Sequence, residues 1–144
     1  MNEFLTRYAI KHGKLGLSKT YVLTEISENP KKMIVAYYTL ASSTIARKNI
    51  PIQQSLPTYP IPVVMLARLA IDIRYQGQGL GAKTLTYALR QAVNLNEAGL
   101  PAYGLLLDVL DEQALMFYQS FEIFLPLADN PMRLFVPVKT LEQI

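Results

Sequence analysis

The sequence contains no cysteine and no tryptophan, and among its 144 residues there is a single histidine, His12. Without cysteine there is no disulfide, no thiolate metal ligand and no thiol nucleophile. One imidazole cannot build a histidine-rich zinc site, so no metal centre is expected, and a Ser-His-Asp triad would depend on His12 alone. That histidine stands among Lys11, Gly13 and Lys14, a setting that reads as surface. No apolar run approaches the roughly 20 residues that span a bilayer, and the opening Met1-Asn2-Glu3-Phe4-Leu5-Thr6-Arg7 lacks a secretory core, so the expected place of work is cytoplasmic, with no membrane partner. Acidic charge is also in short supply, with 11 Asp and Glu against 14 Lys and Arg for a net charge of +3. So mild an excess favours an anionic partner but does not require nucleic acid, since the phosphates of a cofactor suffice. Arg7, Lys11, Lys14, Lys19, Lys31, Lys32, Arg47 and Lys48 crowd the first third, which fits either a nucleic-acid footprint or an ordinary solvated face.

What is plentiful is apolar side chain: 51% of residues are hydrophobic and 17% charged, enough to bury a core and unlike a disordered chain. The length fits one domain, residues 1–144, without internal repeat or linker. Phe4, Leu5, Tyr8 and Ala9 fall at helical spacing and predict a short helix from Glu3 to about Gly13. Thr20–Thr24 and Met33–Leu40, rich in β-branched and aromatic residues, predict a hairpin around Ser27-Glu28-Asn29-Pro30. From Ala41 to Pro62 the pattern is irregular, with Ile45-Ala46-Arg47 a strand end or a turn, and Pro51, Pro57, Pro60 and Pro62 forbid a long helix, leaving a loop able to wall a cleft. Pro62–Ile71 is nearly continuous apolar sequence interrupted by Arg68, as for a central strand buried on both faces. A helix with Leu85, Ala88, Leu89, Ala92 and Leu95 on one stripe then runs to near Gly99. Tyr103–Leu110 predicts a buried strand, Asp111 a cap for a helix through Gln119, and Arg133–Val138 a last strand.

Between the central strand and the long helix lies Gln76-Gly77-Gln78-Gly79-Leu80-Gly81-Ala82. A glycine loop entering a helix lets the backbone approach an anion, while the helix start offers unpaired amides and the positive end of its dipole. Several folds share that physics. Gly77-x-Gly79-x-x-Ala82 fits a loose dinucleotide fingerprint, which asks for an acid about 20 residues on at a strand end, whereas Glu97 lies in the predicted helix. Gly77-x-x-x-x-Ala82-Lys83-Thr84 is a P-loop with its second glycine replaced by Ala82, which weakens the match, and Asp108 on a buried strand could be the metal-binding acid. Gln76-x-x-Gly79-x-Gly81 fits the acetyltransferase pattern Q/R-x-x-G-x-G/A without exception. A purely structural turn is the plain alternative, although three glycines in five positions are costly to order unless the backbone must come close to something.

With Phe4-Leu5-Thr6-Arg7-Tyr8-Ala9, Tyr37-Tyr38-Thr39-Leu40, Ile61–Asp72, Gln76–Gly81, Ala114-Leu115-Met116-Phe117-Tyr118 and Asp129–Phe135, nearly the whole chain resembles the GNAT superfamily of N-acetyltransferases. The strand ending Ala67-Arg68-Leu69-Ala70-Ile71-Asp72 and the closing Pro131-Met132-Arg133-Leu134-Phe135 resemble its toxin branch, whose members belong to toxin-antitoxin modules and acetylate the amino acid of charged tRNA. The resemblance implies an α+β fold with a central mixed, mostly antiparallel β-sheet splayed at the central strand and flanked by helices on both faces. It implies acetyl-CoA as donor, with the backbone of Leu69, Ala70 and Ile71 pairing with the pantetheine arm and Gln76, Gly77, Gln78, Gly79, Leu80, Gly81 and Ala82 holding the pyrophosphate. It places Tyr118 near the thioester sulfur as proton donor to the leaving thiolate, and an amide near Ala70 against the carbonyl oxygen. Arg68 would meet the tRNA acceptor end or pair with Asp72 or another carboxylate. Charged tRNA as substrate, a ribbon-helix-helix antitoxin and a homodimer are the implied partners.

Two positions depart from the family pattern. Glu122-Ile123 stands where members have Gly-Phe after the helix, and the chain begins later than the pattern, without its first strand. Two other functions share the same cofactor loop: acetylation of a small-molecule amine or a protein amino group, and a non-catalytic module that binds coenzyme A. Glu112 and Asp108 are weak candidates for a general base, better read as a residue at a helix start and one at a strand end.

Overall fold

The computed structural model describes residues 10–16, 18–25, 33–52 and 54–143. The start of the first helix at Glu3, the Ser27–Pro30 turn and the surroundings of the His12 side chain lie outside that description. The elements are α1 (Ile10–Lys14), β1 (Lys19–Thr24), β2 (Ile34–Ile45), β3 (Ile61–Ile71), α2 (Leu80–Glu97), β4 (Gly104–Asp108), α3 (Glu112–Gln119), β5 (Leu125–Leu127), β6 (Asn130–Pro137) and α4 (Val138–Leu141). Six strands form one sheet in the order β1-β2-β3-β4-β6-β5, so the α+β class expected from the sequence holds. Contacts divide the chain into two compact units, residues 1–41 with 66–88 and residues 42–65 with 89–144.

In the first unit, β1 and β2 pair antiparallel from Lys19↔Leu40 to Thr24↔Ile34. The pairing is reinforced from above and within: Tyr21 stacks on its partner Tyr38 with ring centroids 5.0 Å apart, and the Thr20 and Thr39 hydroxyls lie 2.9 Å from each other. Such facing pairs add stabilisation beyond the backbone ladder. Val35 through Leu40 are all buried, and Thr84, Leu85 and Ala88 give α2 its inward face here.

In the second unit, β6 lies between β4 and β5, antiparallel to both, with Gly104↔Pro137 and Asp108↔Arg133 closing the β4 register. Its core gathers Ile45, Ile50, Ile61, Val63, Leu106, Leu127 and Phe135. Gly104 is required by packing: a Cβ there would collide with the Val136 carbonyl and the Phe135 ring, which is stacked on Tyr103. The proline-rich segment is pinned to this unit. Arg47 donates to the Leu56 carbonyl at 3.0 Å, the Tyr103 hydroxyl donates to Gln54, and Ile52 and Leu56 pack on the core.

Two differences from the sequence reading have simple causes. β2 continues to Ile45, because Ala41-Ser42-Ser43-Thr44-Ile45 alternates in burial although its small polar residues carry little apolar signal. β5 is Leu-Pro-Leu, three residues at the end of the sheet order, where a strand tolerates a proline that cannot donate to a ladder.

Candidate active site

The strand that precedes the glycine loop changes character along its length. Ile61, Val63, Val64 and Leu66 are buried, but Ala67 and Arg68 are exposed and Leu69, Ala70 and Ile71 only half-buried. The strand is therefore not buried on both faces throughout, as its apolar composition suggested; its last turns of pleat are apolar yet open. An extended segment that is not fully buried is compatible with an added strand-like ligand.

Beyond Ile71 the chain is tied down before it is released. The Asp72 amide donates to the Val35 carbonyl at 2.8 Å, and the Asp72 carboxylate accepts from the Arg74 amide at 2.9 Å. Arg74 also forks that carboxylate, Nε to Oδ1 at 3.1 Å and Nη2 to Oδ2 at 3.2 Å. The guanidinium bonds hold the Asp72 carboxyl below the usual carboxylate range. Ile73–Tyr75 forms a single 3-10 turn, the Tyr75 hydroxyl donates to Glu25 at 2.9 Å, and Gln76 Nε2 donates to the Ile71 carbonyl at 3.3 Å.

From Gly77 the restraint ends. Gly77 and Gly79 have φ of 80° and 76°, in the left-handed region that glycine enters without penalty, and around both the space for a side chain is open. The α2 ladder begins with the Lys83 amide bonded to the Gly79 carbonyl at 3.2 Å, which makes Gly79 the capping residue. A glycine cap has no side-chain oxygen, and the first turn of α2 holds no acid, so neither Gly79 nor an acid of that turn can serve its first amides as a carboxylate cap would. The contrast with α3 is informative, since there Asp111 accepts from the Ala114 amide at 2.7 Å and Glu112 follows in the first turn. The same chain caps one helix with carboxylates and leaves the other ready for an anion. Gln76–Ala82 thus has the form of a diphosphate cradle, and residues there fit a nucleotide-bearing cofactor.

The rival loop readings fail on burial and placement. Thr84, which a P-loop would present to a metal, is completely buried, and its hydroxyl has no hydrogen-bond partner. Asp108, the acid that reading would need, is engaged with Arg133 at 2.6 Å across the β4–β6 register. Glu97 is the last residue of α2, not the end of a second strand, so the dinucleotide pattern lacks its acid.

Tyr118 lies on α3, half-buried, its ring edge-on to Phe117 at 5.1 Å and to Phe124 at 5.8 Å. Burial raises its pKa, which keeps the phenol protonated at neutral pH. After α3 the chain turns left-handed at the place where the resemblance implies glycine: Glu122 has φ 60°, and its amide bonds to the Gln119 carbonyl at 3.1 Å. Glutamate does what glycine does elsewhere, at a conformational cost. Arg68 is exposed and hydrogen-bonds the hydroxyl of Tyr37; burial of Tyr37 nevertheless raises its pKa against the pull of that guanidinium. The Asp72 carboxylate that was open to Arg68 in the sequence is taken by Arg74. Sequence reasoning missed the Tyr75–Glu25 bond and the Arg68–Tyr37 contact, both between residues far apart in the chain. The Asp72-x-Arg74 pair, two residues apart, was within reach of a local reading.

The comparisons with known proteins meet this geometry. The chain is 30% identical over 142 residues to the tRNA-acetylating toxin of Mycobacterium tuberculosis, an alignment covering 96% of this chain and 80% of that protein. It belongs to the family of tRNA-acetylating toxins. Among solved structures, AtaT complexed with acetyl-methionyl-tRNAfMet matches with a TM-score of 0.87 and 33% identity, covering 99% of this chain and 84% of AtaT. A tyrosine-to-phenylalanine mutant of AtaT, bound to the C-terminus of the antitoxin AtaR and acetyl-CoA, matches with a TM-score of 0.79 and 31% identity over 99% of this chain and 81% of the other. No protein-family model matches the chain. Among the described residues no helix is long and apolar enough to cross a membrane.

Proposed function

We propose that the chain is an acetyl-CoA-dependent N-acetyltransferase whose acceptor is the amino group of aminoacyl-tRNA, working as the toxin of a toxin-antitoxin pair. The observation that carries this reading is the glycine-capped start of α2, joined by one short loop to the half-buried apolar end of β3, in a chain of this family. Residues 1–144 act as one acetyltransferase domain in this reading, since β2, β3 and α2 each run through both compact units. The backbone of Leu69, Ala70 and Ile71 lies along the pantetheine arm, and Gln76 to Ala82 hold the diphosphate.

Acetyl-CoA supplies an acetyl group already activated as a thioester. The chain's own residues then have two tasks: to polarise the carbonyl with a backbone amide near Ala70, and to hold a proton at Tyr118 Oη for the sulfur as the C–S bond breaks. The new C–N bond forms from the amine lone pair, and the ammonium proton left on nitrogen passes to solvent. The α-amino group of an aminoacyl ester is far more acidic than a lysine ammonium of pKa about 10.4, so a useful fraction is neutral near pH 7 without a strong base. That suits a site in which Asp108 is paired with Arg133 and Glu112 lies at a helix start. Arg68, exposed at the open end of β3, is the residue proposed to meet the acceptor end of the tRNA. The complex of AtaT with its antitoxin supports a cognate antitoxin here, proposed to be of the ribbon-helix-helix type; a homodimer in the cytoplasm completes the reading.

Incubation with labelled acetyl-CoA and total charged tRNA should place the label on charged tRNA, in a form released with the amino acid on mild alkaline hydrolysis. The Gly79→Glu variant, with a carboxylate in the cradle and a backbone that disfavours φ 76°, should transfer none. Label appearing on small amines or protein lysines, with charged tRNA untouched, would replace the acceptor in this proposal.

A further inference from the structure

The loop that bears the cradle is flexible by composition yet must present its amides in register with the end of β3. Of the ties that fix its base, most are local: Asp72 to Arg74, Tyr75 to the Asp72 carbonyl, Gln76 to the Ile71 carbonyl. Two side-chain contacts reach far along the chain. The Tyr75 hydroxyl donates to Glu25 Oε2 at 2.9 Å across 50 positions, and Arg74 Nη1 approaches Met33 Sδ at 3.6 Å across 41. Glu25 and Met33 are themselves joined, the Glu25 amide donating to the Met33 carbonyl at 3.1 Å where β1 ends and β2 begins. A neutral donor on a carboxylate is a strong tie, whereas a guanidinium on a thioether is weak.

Resting on the acetyltransferase reading above, we infer that Tyr75 and Glu25 are a positioning pair that fixes the cradle's entry to the end of the β1–β2 hairpin and so sets affinity for coenzyme A. The carboxylate is poorly suited to any direct role with the cofactor, because it would repel the phosphates. It acts through Tyr75, one residue before Gln76 and two before the first left-handed glycine. Losing the tie lets the Ile73–Tyr75 turn sample orientations in which the Gly77–Ala82 amides no longer converge, which lowers binding and leaves the chemistry of bound substrate alone.

The test measures equilibrium binding of coenzyme A by calorimetry together with KM and kcat for acetyl-CoA, in the full chain and in Tyr75→Phe, Glu25→Ala, Glu25→Gln and the Tyr75→Phe/Glu25→Ala double variant. Both Tyr75→Phe and Glu25→Ala should weaken binding and raise KM about five- to tenfold, the scale of one ordinary hydrogen bond, with kcat within about twofold. Glu25→Gln keeps an acceptor and should recover most of the loss, and the double variant should be no worse than either single change. Unchanged binding in the single variants, a fall in kcat alone, or additive losses in the double variant would overturn the pairing. Should Tyr75→Phe misfold, the Glu25→Ala and Glu25→Gln comparison decides by itself. If the unaltered chain binds no coenzyme A, the acetyltransferase reading has failed, a result distinct from variants that bind as well as the parent.

Discussion

Tyr118 is a half-buried phenol between two aromatic rings, and its environment pushes ionisation to higher pH without removing the proton it is proposed to give. Tyr118→Phe keeps the ring and its packing, so coenzyme A binding should stay near normal while kcat falls on the order of a hundredfold, the lower range for loss of a general acid. Unchanged single-turnover rates would remove Tyr118 from the chemistry. Thr84 tells the opposite story, of a polar atom without a task. Its hydroxyl is fully buried and unbonded, so Thr84→Val, which exchanges it for a methyl of similar shape, should raise stability by about 1 kcal/mol in denaturant titrations. A loss of stability there would mean that the hydroxyl is satisfied in solution.

Elements are decided largely at their ends. Asp111 starts α3 by accepting a first-turn amide, while Gly79 starts α2 and accepts nothing through a side chain, so only one of the two helices has a carboxylate at its start. At the far end of α3, Glu122 enters the left-handed region at φ 60°, where a Cβ crowds the neighbouring carbonyl. Glu122→Gly should therefore stabilise the fold by roughly 1 kcal/mol, less the extra freedom that glycine has in the unfolded chain. A drop in melting temperature would show that the glutamate side chain contributes something the strain conceals. Much of the element order was legible because apolar runs and caps mark it: the β1–β2 hairpin, the apolar β3, the stripe of α2 and the cap of α3 all lie close to where the residues put them. β5 was not, because three residues around a proline carry no periodicity and depend on β6 for their pairing.

For the molecule as a whole, the acid–base behaviour lies with tyrosine. Tyr37, Tyr38, Tyr103 and Tyr118 have pKa values raised by burial, and Tyr75 by its bond to Glu25. A group whose folded pKa exceeds its unfolded value stabilises the fold fully below the unfolded pKa, about 10 for tyrosine, and that contribution is lost as pH rises through the folded values. The denaturant midpoint should hold between about pH 8 and 9.5 and decline above about 10. A midpoint that stays level well beyond that pH would mean that these phenols are hydrated in solution. Asp72 works in the other direction, its lowered pKa giving stability above the ordinary carboxylate value that is lost as pH falls through the folded one.

By itself the sequence marked the glycine loop as a place suited to an anion, because glycine spacing before an amphipathic helix is a local property of consecutive residues. It also excluded thiol chemistry outright through composition alone. Only the tertiary structure spoke against the P-loop reading, since burying Thr84 and pairing Asp108 with Arg133 are consequences of packing between distant segments. It alone showed that β3 opens after Leu66 and that Tyr75 is moored to Glu25, because hydrogen bonds across 50 positions are written in no periodicity.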